Sequence, residues 1–271
     1  MEQGTKYATD IAQLLKSQPS FSKIYQYNID NYPKQYSYGQ IFDALSNGTT
    51  VISGGDLLMC YMATYSGHHY HKLQTSFPPL LRNISNNANV EIIDYGCGQA
   101  LATLVLLDYL LANNKSLMFK EVTLIEPSTS AIQRGELHLY HFFNAIKQNP
   151  NLKIFNKDID SIVPNDLHTS QQNIKIHLFS NILDVNAFDL NNLYNKIKNS
   201  QKGVNYFVCV SPFNPTRQRL IDFADLFKNH NAQQIPALSQ TITGKVFNIQ
   251  SRQMQEGYKI TMIQRIFSCI L

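Results

Sequence analysis

Residues 90–100 read VEIIDYGCGQA, an apolar run that passes directly into a turn containing two glycines. The apolar part, residues 90–95, predicts a β-strand, and the apolar residues that follow the turn predict a helix over 101–113. Gly96 and Gly98 allow a sharp backbone turn and let a ligand approach without a Cβ in the way. The helix would direct its unpaired N–H groups at an anionic group held in the turn.

Strands and helices alternate along the rest of the chain. Further strands are predicted at residues 121–126, 152–156, 174–180 and 206–210, with helices at 128–148, 190–197 and 216–229. This alternation predicts an α/β fold with a parallel sheet covered by helices on both faces. Two last strand-like runs, 245–250 and 259–271, are separated only by a short polar stretch, Gln255-Glu256-Gly257, and should form an antiparallel hairpin.

The first part of the chain has a different pattern. Apolar residues recur there at helical spacing, and Asn47-Gly48 is a turn signal between helices. Phe77-Pro78-Pro79 predicts a rigid break, and the Asn- and Ser-rich residues 83–89 predict a linker. We therefore predict a helical N-terminal extension or lid over residues 1–88 and an α/β domain over residues 89–271.

Composition and charge narrow the class of protein. The 271 residues include 23 Lys and Arg and 19 Asp and Glu, a formal charge of +4, with no dense basic run. This charge is compatible with a nucleic-acid partner but does not indicate one. The 4 cysteines form no CxxC pair, no signal-peptide pattern is visible, and no apolar run is long enough to span a bilayer. We predict a reduced, cytoplasmic protein without a membrane partner.

Two common nucleotide-binding loops do not fit the glycine turn. The dinucleotide fingerprint needs a small residue where this chain has Leu101, which argues against NAD and FAD. The phosphate-binding P-loop needs Lys and then Ser or Thr after its last glycine, whereas Gln99 and Ala100 follow Gly98.

The turn instead resembles motif I of class I S-adenosylmethionine-dependent methyltransferases, acidic-x-Gly-x-Gly-x-Gly, through Asp94, Gly96 and Gly98. Ala100 replaces the last glycine and keeps that residue small. The resemblance covers residues 90–271. It implies a Rossmann-like parallel sheet completed by the C-terminal antiparallel hairpin, and a cofactor, S-adenosyl-L-methionine, whose carboxylate lies in the turn. Cys97, between the glycines, is expected to lie at the cofactor as well.

Polar residues after the next strands complete the predicted cofactor site. The resemblance implies that Glu126, which Pro127 follows, accepts both ribose hydroxyls, and a carboxylate has two oxygens for this. It also implies that Asp158 contacts the adenine amino group. Ser180 and Asn181 follow the fourth strand, and ligands of parallel sheets bind at the carboxyl ends of the strands. We expect both to face the cofactor or the substrate.

The loops after the fourth and fifth strands bear on the methyl acceptor. Residues 177–184 lack the Asp/Asn-Pro-Pro-Tyr/Phe motif of amino-methylating DNA enzymes, and no Pro-Cys pair supplies the nucleophile of cytosine-C5 enzymes. DNA is therefore disfavoured as the acceptor. Residues 211–215 contain a Ser-Pro-Phe-Asn-Pro sequence one strand too late for the amino-methylating motif, and we expect Phe213 to line the substrate pocket.

A stretch rich in tyrosine and histidine, residues 65–72, lies in the helical extension. N-terminal helices commonly form the lid or substrate wall of this fold, so Tyr65 and His68 are predicted to contact the substrate. Pairs of histidines at i,i+3 spacing, His68 with His71 and His138 with His141, could supply metal ligands. No cysteine or carboxylate cluster accompanies them, and we predict no metal site.

Together these features predict S-adenosylmethionine-dependent methyl transfer to an acceptor that the sequence does not identify: a small molecule, a protein or an RNA. No catalytic residue is evident, but in-line methyl transfer depends on positioning more than on acid–base help. One alternative is a degenerate methyltransferase that serves as a binding or assembly subunit, because Ala100 departs from the motif. Another is a nicotinamide-dependent oxidoreductase, which Leu101 opposes.

Overall fold

The computed structural model describes residues 2–46 and 49–271. Helices precede the first strand: α1 (Glu2–Leu15), α2 (Phe21–Asn31), α3 (Tyr38–Leu45) and α4 (Gly55–Leu81). Strands and helices then alternate: β1 (Asn89–Tyr95), α5 (Leu101–Ala112), β2 (Met118–Ile125), α6 (Thr129–Ala145), β3 (Asn151–Phe155), β4 (Ile174–Ser180), α7 (Leu190–Ser200), β5 (Val204–Ser211) and α8 (Gln218–Asp225). The chain ends in β6 (Gln233–Asn248) and β7 (Gln253–Ile270).

The strands form a 7-stranded sheet in the order β3-β2-β1-β4-β5-β7-β6. The strands from β1 to β5 pair in parallel. β7 runs antiparallel both to β5 and to β6. The predicted parallel sheet with a C-terminal antiparallel hairpin is confirmed, and so is the helical N-terminal extension.

Two apolar layers cover the sheet. On one face α4, α5 and α6 pack on Ile92, Leu124 and Leu178. Most residues of α5 are buried, and the helix is accordingly apolar on almost every side. On the other face α7 and α8 pack on Phe179 and Phe207. The parallel strands are therefore shielded on both faces, as their nearly continuous apolar sequences require.

The N-terminal helices belong to the same hydrophobic core as the sheet. Ile11 of α1 and Ile24 of α2 are completely buried in the cluster that also contains β1 and α5. α4 contacts β5, β6 and β7. The hydroxyl of Tyr25 in α2 accepts a hydrogen bond of 2.8 Å from the N–H of Phe247 in β6. The first helices therefore pack against the sheet and the hairpin over a wide contact.

Two local predictions, the position of the hairpin turn and the break at the proline pair, are wrong. The hairpin turn lies at residues 249–252, where Asn248 Oδ1 accepts from the N–H groups of Gln250 and Ser251. Gly257, placed in the turn by the sequence, lies instead inside β7 with a φ of +66°. Pro78 and Pro79 do not break α4, because the buried residues around them hold its last turn. The Asn47-Gly48 turn lies outside the described residues.

No helix in the described ranges combines the length and the apolar character needed to cross a bilayer.

Candidate active site

The glycine turn after β1 adopts left-handed backbone conformations. Gly96 and Gly98 have φ values of +59° and +55°. A Cβ on Gly96 would come within 2.8 Å of the Ile182 side chain, which would have to move, and the left-handed conformation itself favours glycine. A Cβ on Gly98 would meet no atom within 4 Å. The backbone at Gly98 therefore borders open space, as the predicted ligand-binding turn requires.

Asp94 has a different position from the predicted one. Its carboxylate does not line the cavity beside the turn and is 1% exposed. Asp94 Oδ2 accepts from the N–H of Thr103 at 3.2 Å and from Thr103 Oγ1 at 2.7 Å. Ala100, the N-cap of α5, offers no side-chain cap. Asp94 therefore caps α5 from the preceding strand, and it occupies part of the helix N-terminus that was predicted to face the cofactor.

Burial raises the pKa of Asp94 to about 7, although the hydrogen bonds from Thr103 oppose the change. The folded state therefore binds a proton more readily than the unfolded chain, and its free energy of unfolding decreases as pH rises from about 4 to about 7. We expect Asp94→Asn, which keeps an oxygen for Thr103, to remove this decrease. With the folded value near 7 and the ordinary value near 3.8, the effect is at most about 4 kcal/mol. Urea unfolding at pH 5 and pH 8 measures the part of this effect that lies between pH 5 and pH 7, about 2.7 kcal/mol. Equal pH dependence in both proteins would contradict the raised pKa of Asp94.

Glu126 bridges the glycine turn and the start of α6. Its Oε2 accepts from the N–H of Gly98 at 3.0 Å, and its Oε1 accepts from the N–H of Ser128 at 2.9 Å. Burial raises the pKa of Glu126, against the opposing effect of these two N–H groups. Each carboxylate oxygen keeps a further acceptor position, so the group can still receive two hydroxyl donors.

A cavity of about 320 Å³ lies over these residues, at the carboxyl ends of β1 to β4. The predicted cofactor residues that line it are Gly96, Gly98, Glu126, Pro127, Asp158, Ser180 and Asn181. The segment 49–52 and Tyr61 form its outer wall. The Ser128 hydroxyl donates to the carbonyl of Ile52, which fixes this segment against α6. We call this space the cofactor cavity.

The donors and acceptors of the cofactor cavity fit a nucleoside that carries an amino-acid group. Gln99 is 1% exposed, and its Oε1 finds no hydrogen-bond partner among the residues described. It is available to an ammonium or amide donor of a ligand. Ile159 and Phe188 contribute buried apolar surface suited to a purine ring. Asp158, on the surface near them, already accepts from the N–H and the hydroxyl of Ser161.

A second cavity of about 890 Å³ adjoins the first, and we call it the acceptor cavity. Both volumes lie in the range of small-molecule sites, roughly 300–1,000 Å³. Thr49, Tyr61, Asn181 and Val185 line both cavities, which therefore meet at these residues. The aromatic residues of the acceptor cavity come from three parts of the chain: Tyr38, Phe42, Tyr61, Tyr65, Phe247 and Tyr258. His68 lines it together with Tyr65, and their contact with a substrate stays a prediction.

A hydrogen-bonded chain of side chains lies at the junction. Lys72 Nζ donates to Asn181 Oδ1 at 2.7 Å, and Asn181 Nδ2 donates to His69 Nε2 at 2.5 Å. His69 Nδ1 lies 3.4 Å from Ser180 Oγ. Burial and the neighbouring Lys72 lower the pKa of His69 well below its ordinary value, so the imidazole is neutral. Burial also lowers the pKa of Lys72, to about 7, although the electrostatic attraction of Asp184 acts to raise it.

Besides Asp94, two of the predicted site residues lie outside the two cavities. Cys97 is buried beneath the turn, where its N–H donates to the carbonyl of Ile125, and it does not line the cofactor cavity. Phe213 is 48% exposed beside Arg217, whose guanidinium lies 4.0 Å from the ring centroid, and it lines neither cavity. Its neighbours Pro212 and Asn214 are the residues of that loop that reach the acceptor cavity.

One histidine of each predicted pair has a hydrogen-bond partner elsewhere in the fold. His138 is completely buried between the Tyr7 hydroxyl and the Gln99 carbonyl. His71 Nε2 lies 3.0 Å from the N–H nitrogen of Lys245 in β6. Within the described part of the chain, no group of three or more His, Cys, Asp or Glu residues is placed to hold a metal ion.

The sequence prediction missed Lys72, His69, Tyr61 and the segment 49–52. Lys72 and Asn181 are 109 residues apart, and no local pattern links them. The residues around Lys72 gave no signal either, because residues 65–72 are mostly polar or aromatic and a lysine there is expected at the surface.

The strand order with only β7 reversed is that of the class I S-adenosylmethionine-dependent methyltransferases, so this chain has the class I methyltransferase fold. No family model matches the sequence, and no curated protein matches it. Solved structures with similar folds include an S-adenosylmethionine-dependent O-methyltransferase of Thermotoga maritima, with 15% identity, 73% of this chain and 64% of that chain covered, and a TM-score of 0.43.

Two further similar structures are S-adenosylmethionine-dependent methyltransferases. That of Leishmania major has 8% identity and a TM-score of 0.44, over 90% of both chains. That of Agrobacterium tumefaciens has 10% identity and a TM-score of 0.40, over 73% of this chain and 60% of that chain. At such identities and TM-scores these similarities say nothing about activity. The fold assignment rests on the strand order.

Proposed function

We propose that this protein transfers the methyl group of S-adenosylmethionine to an acceptor bound beside it. The observation that supports this most directly is the pair of adjoining cavities at the carboxyl ends of the parallel strands. One is bordered by the glycine turn and Glu126, and it meets the other at Tyr61 and Asn181. A group-transfer reaction needs such an arrangement, because donor and acceptor must meet while most of each stays enclosed.

The residues of the cofactor cavity have separate roles in this proposal. The backbone at Gly98 and the unpaired Oε1 of Gln99 would hold the amino-acid end of S-adenosylmethionine. Glu126 would accept from the ribose hydroxyls, and Asp158 with Ile159 would contact the adenine. Asp94 acts indirectly, since it fixes the first turn of α5 behind the glycine turn.

When bound, S-adenosylmethionine supplies a methyl group on a sulfonium, ready for displacement. The chain's own residues position the acceptor and exclude water. Tyr61 and the segment 49–52 close the outer side of the cofactor cavity, and Tyr65 and His68 of α4 line the acceptor side. The 4 cysteines are all free and buried, which fits the reducing cytoplasmic compartment that we propose for the protein.

Calorimetry with S-adenosylmethionine and S-adenosylhomocysteine tests the first half of the proposal. We expect binding of both with micromolar dissociation constants, and NADH as the control should not bind. Incubation with methyl-labelled cofactor and a cell extract, followed by mass analysis of the labelled products, tests the second half. Absence of binding at millimolar ligand would refute the cofactor assignment. Binding without any labelled product would favour the non-catalytic binding subunit.

A further inference from the structure

Lys72 is unusual because it is buried without a full set of hydrogen-bond acceptors. Its side chain is 3% exposed and lines the acceptor cavity, and its hydrogen bond is to Asn181 Oδ1 at 2.7 Å. The other buried lysine, Lys175, is bound differently. Its Nζ donates to the carbonyls of Ser170, Asn173 and Lys202, which use all three of its donors. Lys175 is therefore structural, whereas Lys72 keeps hydrogen-bonding capacity for a ligand.

The surroundings of Lys72 favour its neutral amine. In the part of the chain that is described, no carboxylate forms a salt bridge with it. Asp184 approaches from the loop after β4, but its oxygens accept from Ser211 Oγ at 2.7 Å and Asn214 Nδ2 at 2.6 Å. His68 and His69 of α4 are the nearby titratable groups on its own helix, and the β7 residues Tyr258 and Lys259 line the same cavity. Burial lowers the pKa of Lys72 to about 7.

The amine lies next to the place where transfer would occur. Asn181, its hydrogen-bond partner, lines both the cofactor cavity and the acceptor cavity. The amide orientation is fixed, because the other end of Asn181 donates to neutral His69. Asn181 thus presents its oxygen to Lys72 and holds the amine at the junction.

The walls of the acceptor cavity indicate what kind of molecule it takes. They are rich in tyrosine and phenylalanine, which bind planar rings by stacking and edge contacts. The Tyr65 hydroxyl is buried and has no hydrogen-bond partner in the described ranges, so it can bind a polar substituent of the ring. Among the described residues that line this cavity, the carboxylate is Asp184, and both of its oxygens already accept hydrogen bonds, so no free carboxylate is offered to a cationic amine.

We propose that Lys72 is the general base of the methyl transfer and that the acceptor is a small planar aromatic alcohol, a phenol. This deepens the proposed function and rests on it. The Lys72 amine takes the proton of the phenol O–H, and the phenolate oxygen forms a bond to the methyl carbon as the carbon–sulfur bond of the cofactor breaks. The sulfur keeps that electron pair and becomes the neutral thioether of S-adenosylhomocysteine. The Lys72 ammonium then loses its proton to water as the methyl ether leaves.

Methyl-labelled S-adenosylmethionine with 2-naphthol, catechol and 7-hydroxycoumarin tests the acceptor class, and 2-naphthylamine is the matched amine. We expect transfer to at least one phenol and at least about 100-fold less to the arylamine, which is uncharged at neutral pH and whose N–H is too weakly acidic for the Lys72 amine to remove. If the protein binds S-adenosylhomocysteine but methylates none of the phenols, the acceptor class is refuted while the proposed function stands. If it binds no cofactor, the proposed function itself fails.

Variants of Lys72 test the role of the amine on the better of 2-naphthol and catechol, whose own ionisation lies well above neutral pH. We expect wild-type kcat/KM to rise with pH through a midpoint near 7. Lys72→Met should lower kcat/KM about 100- to 10,000-fold, the usual contribution of a general base, and should abolish the midpoint. Methylamine should partly restore the activity of Lys72→Ala. Lys228→Met, at an exposed lysine outside both cavities, should behave as wild type.

The variant Asn181→Asp tests whether Lys72 acts as a general base or has only a structural role. A carboxylate at 2.7 Å from Nζ would stabilise the ammonium. The midpoint of the pH profile should therefore rise by more than one pH unit. Far-UV circular dichroism reports whether each variant is folded, since Asn181 itself lines the cofactor cavity. An unchanged pH profile in both Asn181→Asp and Lys72→Met, in folded proteins, would overturn the assignment of Lys72.

Discussion

Gly98→Ala is expected to prevent cofactor binding in a protein that still folds. Because the φ of Gly98 is +55°, the substitution adds backbone strain of about 1–2 kcal/mol. Ala100, two positions later, adopts a φ of +60°, which shows that the turn tolerates an alanine in this conformation. The added Cβ would meet no protein atom within 4 Å and would stand in the cofactor cavity. We expect the dissociation constant of S-adenosylhomocysteine to rise at least ~100-fold, equivalent to about 2.8 kcal/mol.

Gly257→Ala is a closely matched control for that substitution. Gly257 has φ of +66°, and a Cβ there also meets nothing within 4 Å, but it lies in β7 and lines neither cavity. Both variants should lose a few degrees of melting temperature from the same backbone strain. Only Gly98→Ala should lose calorimetric binding. Equal binding by the two variants would show that the glycine turn is not the cofactor cradle.

Glu126→Gln is expected to weaken cofactor binding about 100- to 1,000-fold. The loss of charge would weaken the two charge-assisted hydrogen bonds that we propose Glu126 accepts from the ribose, and such bonds contribute about 1.5–3 kcal/mol each. The amide also has only one oxygen, whereas both carboxylate oxygens accept a backbone N–H, from Gly98 and from Ser128. The amide NH₂ must then face one of those N–H groups, so the turn is perturbed as well.

The control for Glu126→Gln is Glu136→Gln, a loss of the same charge at an exposed position of α6. Its dissociation constant for S-adenosylhomocysteine should stay within about twofold of wild type, because solvent screens a surface charge. Deoxyadenosine-type analogues that lack the ribose hydroxyls supply a second check. For these analogues the difference between wild type and Glu126→Gln should shrink to the part that the perturbed turn causes; a difference as large as that for S-adenosylhomocysteine would mean that Glu126 does not bind the ribose.

The parts of the site that the sequence could predict lie on short segments after strands. Gly98 and Glu126 follow β1 and β2, and parallel strands bring such positions together at one edge of the sheet. The role of Asp94 could have been inferred from strand alternation. Ile93 and Tyr95 face α7 and α8, so Asp94 must face the opposite side with Ile92, towards α5.

Other parts could not be predicted from local sequence. Lys72 reaches Asn181 only through the packing of α4 on the sheet, which no periodicity encodes. The first half of β6 was missed because its residues 238–244 are mostly polar or partly exposed, as suits a strand at the edge of the sheet. The polar tripeptide in β7 resembled a turn, but Asn248 forms the turn that the chain uses.

Helix α4 contributes both to the central core and to the acceptor cavity, so a change in acceptor specificity can also affect folding. Leu73 and Phe77 of this helix are inside the central core, whereas Tyr65 and His68, two turns earlier, shape the acceptor cavity. If residues 1–88 were replaced by those of a protein with another acceptor, the new α4 would therefore have to pack on β5 and the hairpin with core residues that do not match them. Divergence or engineering of specificity must then proceed either by single exchanges on the cavity side of α4 or by joint replacement of the helix with β6 and β7.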